Sequence, residues 1–132
     1  MPAPSLDPQV QAFYETAPEP LRAGLLDLRD TIFAVATEIE ETGGVEETLK
    51  WAQPAYLPKR PRVGTTLRLG LPKTGGFGLY VHCQTSLIGD FATAFPDLQY
   101  EGNRAILFSE GAVPDERINL FVGNALTYHL KR

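Results

Sequence analysis

The sequence predicts an α+β fold, in which an antiparallel sheet of about five strands is covered on one face by N-terminal helices and a C-terminal helix. Three observations predict it. A long segment near the N-terminus has apolar residues at every third or fourth position, several central segments alternate apolar and polar residues, and a second helical pattern closes the chain. Strands that are grouped between helices are typical of a two-layer sandwich, and 132 residues suit one domain.

Two helices are predicted at the N-terminal end. The first covers about Pro8–Thr16, with Asp7 as its N-cap and a proline at its first position. The second covers about Glu19–Glu40, and the Gly-Gly pair at 43–44 ends it. The apolar stripe that faces the core in this second helix consists of Leu21, Leu25, Leu28, Ile32, Val35 and Ile39.

The first strand is predicted at 45–51, where alternation places Val45, Glu47, Leu49 and Trp51 on one face. Trp51 should therefore lie in the core and Lys50 should point away from it. Pro54 should end or bulge this strand, because proline cannot donate to a sheet.

Further strands are predicted at 63–71 and 77–83, separated by a turn at 73–76. In the second of them Cys83 should point inward and His82 outward. A short helix or irregular turn follows, and then a hairpin at 98–109 that turns at Gly102-Asn103.

The C-terminal helix is predicted at 113–132, with Pro114 near its start and Lys131 and Arg132 at its end. Its buried stripe consists of Ile118, Phe121, Val122, Ala125 and Leu126.

Composition excludes several classes of protein. A net charge of −4 argues against a nucleic-acid-binding protein. Cys83 is the single cysteine, so the chain does not resemble a secreted fold held by disulfides. Neither a signal peptide nor an apolar run long enough to span a bilayer is recognisable, so we expect a cytoplasmic protein with no membrane partner.

The charges are distributed unevenly, and residues 50–73 contain six bases and no acid. Together with aromatic residues, these bases would form a polar sheet face suited to a small anion or an acidic protein partner. The residues of that face are Lys50, Tyr56, Arg60, Arg62, Arg68, Tyr80 and His82, and the ligand-binding candidates among them are Lys50, Tyr56, Arg68, Tyr80 and His82. The alternative is an ordinary solvated outer face.

A cluster of glutamates surrounds the end of the second helix and the start of the first strand. The candidates for a weak iron site are Glu38, Glu40, Glu41, Glu46 and Glu47, because hard cations accept carboxylate oxygens. The alternative is a solvated helix end. No spacing typical of a zinc site or of a phosphate-binding loop is found, and no other cofactor is predicted.

Catalysis by a cysteine–histidine pair is not indicated. His82 and Cys83 are adjacent, and adjacent side chains of a strand point to opposite faces.

The stretch ETLKWAQPAY at 47–56 resembles the YdhG-like family, as do PEPLRAGLLDLRDTI at 18–32 and GGFGLYVHCQ at 75–84. The residues that carry the resemblance are Glu47, Leu49, Lys50, Trp51, Pro54 and Tyr56. It covers about residues 8–130 and implies the α+β sandwich more strongly than any activity. Some members are described as frataxin-like intracellular iron chaperones, which implies a metal-binding role. Residues 57–76 are longer and more basic than the pattern of the family.

Three functional hypotheses follow. The first is a non-catalytic module that binds a metal ion, a small anion or an acidic partner. The second is a small-molecule enzyme that uses Lys50 or His82 as its acid–base group. The third is a structural or interaction module that works as a homodimer through the sheet face or the 57–76 loop. The sequence leaves open whether the protein is a monomer or a homodimer.

Overall fold

The structure is a computed structural model and describes residues 3–130. The helices are α1 (Pro8–Thr16), α2 (Glu19–Glu38), α3 (Leu87–Ala94) and α4 (Arg117–Leu126). The strands are β1 (Val45–Lys50), β2 (Gln53–Pro58), β3 (Leu67–Gly70), β4 (Phe77–Tyr80), β5 (Gln99–Glu101) and β6 (Ala105–Phe108). Single 3-10 turns lie at Glu40–Thr42 and Tyr128–Leu130.

The six strands form one sheet in the order β1-β2-β3-β4-β6-β5, and every neighbouring pair is antiparallel. α1 and α2 pack on one face of this sheet, α4 packs beside α2, and α3 packs against α4. The predicted α+β fold is therefore confirmed, with six strands instead of about five. No helix within residues 3–130 is both long and apolar enough to cross a membrane.

The additional strand comes from a tight hairpin. β1 and β2 are joined by the two residues Trp51 and Ala52, whose φ angles of 55° and 63° are left-handed. These angles are typical of the type I′ turn, whose twist matches that of the strands. The indole of Trp51 is 86% exposed at this tip, so the prediction that Trp51 lies in the core is wrong. The alternation stops one residue earlier, at Lys50.

Pro54 lies inside β2, opposite Leu49, and does not end or bulge a strand as predicted. In a hairpin with a two-residue loop the flanking pair, here Lys50 and Gln53, exchanges backbone hydrogen bonds, and the next pair does not. The missing N–H of Pro54 therefore faces β3 instead of β1. The β2–β3 ladder is only two residue pairs long, Ala55 with Arg68 and Tyr56 with Leu67.

β4 ends at Tyr80, so the alternation predicted through residue 83 stops early. Val81 is still buried and donates its N–H to Arg104 O at 2.8 Å. The chain then turns, since Thr85 N bonds His82 O at 3.1 Å. Both His82 and Cys83 are exposed in this turn, so the prediction that Cys83 points inward is wrong.

The helices follow the predicted patterns closely. α1 has the predicted bounds, and the Asp7 carboxylate caps it by accepting from Gln9 N at 2.8 Å. α2 ends at Glu38, two residues early, with Ile39 at its C-cap. The five other members of its predicted stripe are buried, as are all five of α4: Leu21, Leu25, Leu28, Ile32, Val35, Ile118, Phe121, Val122, Ala125 and Leu126.

α4 is shorter than predicted, because it begins at Arg117, three residues after Pro114, and ends at Leu126, before the 3-10 turn at Tyr128–Leu130. The Asp115 carboxylate accepts from Arg117 N at 2.9 Å. The prediction for Lys131 and Arg132 lies outside the described residues.

The basic connection between β2 and β3 docks against the end of α4. Thr65 N bonds Ala125 O, and His129 N bonds Val63 O, each at 2.9 Å. Gly64 is required at this contact, because a Cβ there would lie 2.2 Å from Leu126 O. This part of the basic connection therefore has a packing role.

Candidate functional site

A cleft of about 490 Å³ lies on the sheet face opposite α1 and α2, and we call it the open-face cleft. It runs from the β3–β4 turn across the middle strands to the β5–β6 hairpin. Its lining residues are Gln53, Arg68, Leu71, Pro72, Lys73, Thr74, Tyr80, Glu101 and Arg104.

The strand register brings Arg68 and Tyr80 together at the centre of this cleft. The two residues are direct partners on β3 and β4, and Gly70 and Gly78 are the next pair on the same face. The glycines let the neighbouring side chains lie flat on the sheet. A Cβ at Gly70 would meet Gln53 Nε2 at 2.3 Å, and one at Gly78 would meet the Tyr80 ring at 2.9 Å.

Arg68 is a half-buried cation whose charge is not compensated. One of its terminal nitrogens donates to Gln53 Oε1 at 2.8 Å, and its guanidinium carbon lies 5.9 Å from the centre of the Tyr80 ring. No carboxylate of the described chain lies within salt-bridge distance of it. Burial lowers the pKa of Arg68, and the positive charge of Arg104 lowers it further. The guanidinium nevertheless remains charged at neutral pH.

The other arginines that are at least half buried have strong acceptors. Arg22 donates to the backbone carbonyls of Tyr14, Glu15 and Ala17 at the end of α1. Arg29 is paired with a glutamate, and Arg117 contacts two aspartates. Arg68 differs from them, since an amide oxygen is its single acceptor among residues 3–130. The remaining donors of its guanidinium are free for a ligand.

Tyr80 adds a neutral hydroxyl to the cleft. Its ring is buried, and its hydroxyl has no hydrogen-bond partner within the described part of the chain. Burial raises the pKa of Tyr80, and the negative charge of Glu101 raises it further, against the opposing effect of Arg104 and Arg68. The phenol therefore keeps its proton at neutral pH and can donate to an anion.

The rim of the open-face cleft is mostly cationic. Lys73 lies in the β3–β4 turn, and Arg104 lies at the opposite end, in the β5–β6 hairpin. Arg104 Nε donates to Glu101 Oε2 at 2.8 Å, so the single acid of the lining already has a partner. Arg68, Lys73 and Arg104 against Glu101 leave two positive charges in excess.

The structure brings together two of the five predicted ligand-binding residues, Arg68 and Tyr80. Tyr56 is fully buried beneath the helices, so its predicted place on the polar face is wrong. Even-numbered residues of β1 point to the outer face, but after the two-residue turn Lys50 pairs with Gln53, so the odd-numbered residues of β2 point there. Tyr56 therefore falls on the inner face. Lys50 is exposed on the outer face of β1 but does not line the cleft. His82 lies in the turn after β4, outside the cleft.

The remaining two members of the predicted polar face, Arg60 and Arg62, also lie outside the cleft. Both are exposed in the connection between β2 and β3, not on the sheet.

A buried polar network lies under the helices, and the sequence prediction missed it. Arg29 donates to both carboxylate oxygens of Glu47, at 2.6 and 3.0 Å. Tyr56 OH donates to the same carboxylate at 2.7 Å and contacts Tyr14 OH at 2.5 Å. The signal for it is the presence of opposite charges on two predicted inner faces: Arg29 follows Leu25 by four positions on α2, and Glu47 alternates with Val45 on β1.

The predicted iron candidates do not converge. Glu47 is occupied by Arg29 on the inner face of β1, whereas Glu46 points to the outer face. Glu38, Glu40 and Glu41 are exposed around the end of α2. Within residues 3–130 no group of three or more His, Cys, Asp or Glu side chains could hold a metal ion. The part of the chain that the structure describes therefore has no multidentate iron site.

Comparison with known proteins adds no functional assignment. No protein-family model matches the chain, and no curated protein or solved structure matches it. The resemblance to the YdhG-like family stays a prediction from the sequence.

Proposed function

We propose that the protein is a non-catalytic binding module that holds a small anion, a carboxylate or a phosphate, in the open-face cleft. The observation that carries the proposal is the half-buried Arg68 guanidinium without a carboxylate partner. A partly desolvated cation gains most from an anion that approaches it, because the local dielectric constant is lower than in water.

The neighbouring groups would position such an anion. An arginine binds carboxylates and phosphates bidentately, and Gln53 holds the Arg68 side chain in place through its amide oxygen. The Tyr80 hydroxyl supplies a neutral donor. Lys73 and Arg104 lie at the two ends of the cleft and raise the local concentration of anions.

Binding is favoured over catalysis by the chemistry of the lining. The cleft holds cations, an amide and a phenol, and its one carboxylate, on Glu101, is paired with Arg104. The enzyme hypothesis relied on Lys50 or His82. Lys50 lies on β1, and His82 lies just after the end of β4. Because β2 and β3 lie between them, β1 and β4 are about 14 Å apart across the sheet. Neither residue lines the cleft.

Membership of the YdhG-like family and a cytoplasmic location are part of the same proposal. The α+β fold agrees with the resemblance, and fold alone does not identify a ligand.

The test is calorimetric titration with inorganic phosphate and with citrate, comparing the wild type with Arg68→Gln. The variant should lose at least about tenfold in affinity, since a charge-assisted hydrogen bond contributes about 1.5–3 kcal/mol. Tyr80→Phe should lose less, because it removes one neutral donor. Amide chemical shifts should change at Arg68, Gly70 and Gly78 on titration.

Arg62→Gln is the matched control, because it removes the same charge from an exposed position in the β2–β3 connection. If the two glutamine variants weakened binding equally, the anion would be responding to net charge and the cleft would have no special role. Absence of binding to the wild type by both anions would also reject the proposal.

A further inference from the structure

The edge strand β1 has a row of backbone groups without partners. β1 is one end of the sheet, and its six residues pair with β2 alone. Lys50, Thr48 and Glu46 exchange hydrogen bonds with β2, so the N–H and C=O groups of Val45, Glu47 and Leu49 point away from the sheet. No backbone group or side chain of residues 3–130 hydrogen-bonds to those outward groups.

β1 lacks two of the features that usually protect an edge strand, a proline and a bulge, although it contains the charged residues Glu46, Glu47 and Lys50. The strand contains neither proline nor glycine and pairs with β2 residue for residue, without a bulge. A groove of about 420 Å³ lies between β1 and the N-terminal segment, and its lining includes Ser5, Asp7, Glu46, Thr48 and Lys59. By contrast, β5 at the other edge of the sheet is only three residues long. β1 therefore offers a template for another strand, and β5 is too short to do so.

The charges on the outer face of β1 are self-complementary. If two copies of β1 pair antiparallel about a twofold axis at Thr48, Glu46 of each copy lies opposite Lys50 of the other. Opposite charges directly across a strand pair stabilise it, and like charges destabilise it. The same register places Glu47 opposite Leu49, so the outward backbone groups of each copy meet. A shift by one residue would break this match, because outward groups would then face inward ones.

We propose that a second copy of this chain pairs with β1 in this register, so that two six-stranded sheets join into one continuous sheet. The twofold axis forms the Glu46–Lys50 contact twice. It also brings the exposed indole of Trp51 next to Val45 of the second copy, and covers Leu49, whose side chain is 40% exposed. Backbone pairing of the two β1 strands and two symmetric Glu46–Lys50 ion pairs therefore favour a second copy of this chain as the partner.

Six residues on each side make a small interface, below the area of about 1,600 Å² of a stable complex. We therefore expect a weak dimer whose population depends on concentration. Sedimentation equilibrium over about a 100-fold range of concentration should show the wild type passing from one chain to two. A wild type that stays a single chain over that range overturns the proposal.

Charge reversal tests the register. In Lys50→Glu each copy presents two acids, and in Glu46→Lys each presents two bases, so each variant alone should dimerise at least tenfold more weakly than the wild type. An equimolar mixture of the two variants places an acid opposite a base at every contact and should restore dimerisation to within about threefold. Single variants that dimerise like the wild type, or a mixture that does not, would contradict the pairing.

Leu49→Pro tests the backbone contact separately. The N–H that it removes points away from β2, so the monomer should keep its circular dichroism spectrum, and proline is tolerated at an edge. The variant should remain a single chain. Tryptophan fluorescence gives a second signal, because Trp51 should shift to shorter wavelength as the wild type is concentrated and should not shift in Leu49→Pro. Arg68→Gln should dimerise like the wild type, so a failure of the anion proposal is distinguishable from a failure of this one.

Discussion

The guanidinium of Arg29 binds both carboxylate oxygens of Glu47, a residue 18 positions further along the chain, and both side chains are more than nine-tenths buried. This pair joins α2 to β1. It also orders the N-terminal segment, since Ser5 O accepts from Arg29 at 3.3 Å and Asp7 N donates to Glu47 Oε1 at 3.4 Å. The N-terminal segment, α2 and the edge strand β1 therefore meet at one buried ion pair.

Replacing Glu47 by glutamine should lower the free energy of unfolding by about 3–5 kcal/mol, because it leaves a buried guanidinium without its counter-charge. Glu41→Gln removes the same charge from an exposed turn and should change stability by less than about 0.5 kcal/mol. Urea unfolding of both variants measures the difference. A loss below about 1 kcal/mol in Glu47→Gln would mean that the glutamine amide oxygen replaces the carboxylate as an acceptor and that the charge of Glu47 is not needed at this contact.

Stability should fall at high pH because of the two phenols in this network. Burial raises the pKa of both Tyr14 and Tyr56 above the ordinary value, and the charge of Glu47 adds to the effect. Below about pH 10 the two phenols keep their protons in both the folded and the unfolded protein, and above it they ionise first in the unfolded chain. The free energy of unfolding should then fall by about 1.4 kcal/mol per pH unit for each tyrosine.

The measurement is urea unfolding between about pH 9 and about pH 11, comparing the wild type with Tyr14→Phe. The variant should show a smaller slope, since one of the two buried phenols is gone. Equal slopes in the two proteins would show that Tyr14 ionises as readily in the folded state as in the unfolded one.

The helices could be predicted because their signals are local. The Asp7 cap and the spacing of Leu25, Leu28 and Ile32 depend on residues within a few turns of each other. The same holds for Arg68 and Tyr80, which alternate with buried Leu67 and Leu79 and therefore fall on the outer face.

The β1–β2 hairpin could not be read in the same way. The usual sequence signal of a type I′ turn is Asn-Gly, whereas this turn consists of Trp51 and Ala52. Because the turn was not recognised, β2 was not predicted as a separate strand, and Tyr56 was assigned to the outer face instead of the inner one. The left-handed angles of Trp51 and Ala52 are maintained by the pairing of β1 with β2 over six residue pairs. The identity of the two turn residues alone does not predict them.

Gly24 should tolerate no side chain, although it lies in a helix. A Cβ at this position of α2 would lie 2.2 Å from the tip of the Phe77 ring, which is fully buried and stacks on Phe108 with ring centres 5.1 Å apart. Gly24→Ala should lower the free energy of unfolding by about 1–3 kcal/mol, because overpacking outweighs the gain of about 1 kcal/mol in helix propensity.

Gly89→Ala in α3 is the matched control for this substitution. Nothing lies within 4 Å of a Cβ there, so the same exchange should stabilise the protein by up to about 1 kcal/mol. Thermal unfolding of the two variants should move in opposite directions. A shift of Gly24→Ala to higher temperature would mean that α2 can move away from β4 at little cost.

The turn between β1 and β2 should be more stable with glycine at position 52. Ala52 has a φ of 63°, where an L-residue is strained and glycine is not. Ala52→Gly should therefore raise the free energy of unfolding, by about 0.5–1 kcal/mol after the greater entropy of the unfolded glycine is subtracted. Ala55→Gly on β2, where the backbone is extended and the alanine is fully buried, should instead destabilise the protein. Urea unfolding at low protein concentration isolates the monomer from the pairing of β1. If Ala52→Gly lowered stability as Ala55→Gly does, the left-handed backbone angles of Trp51 and Ala52 would not be strained in this protein.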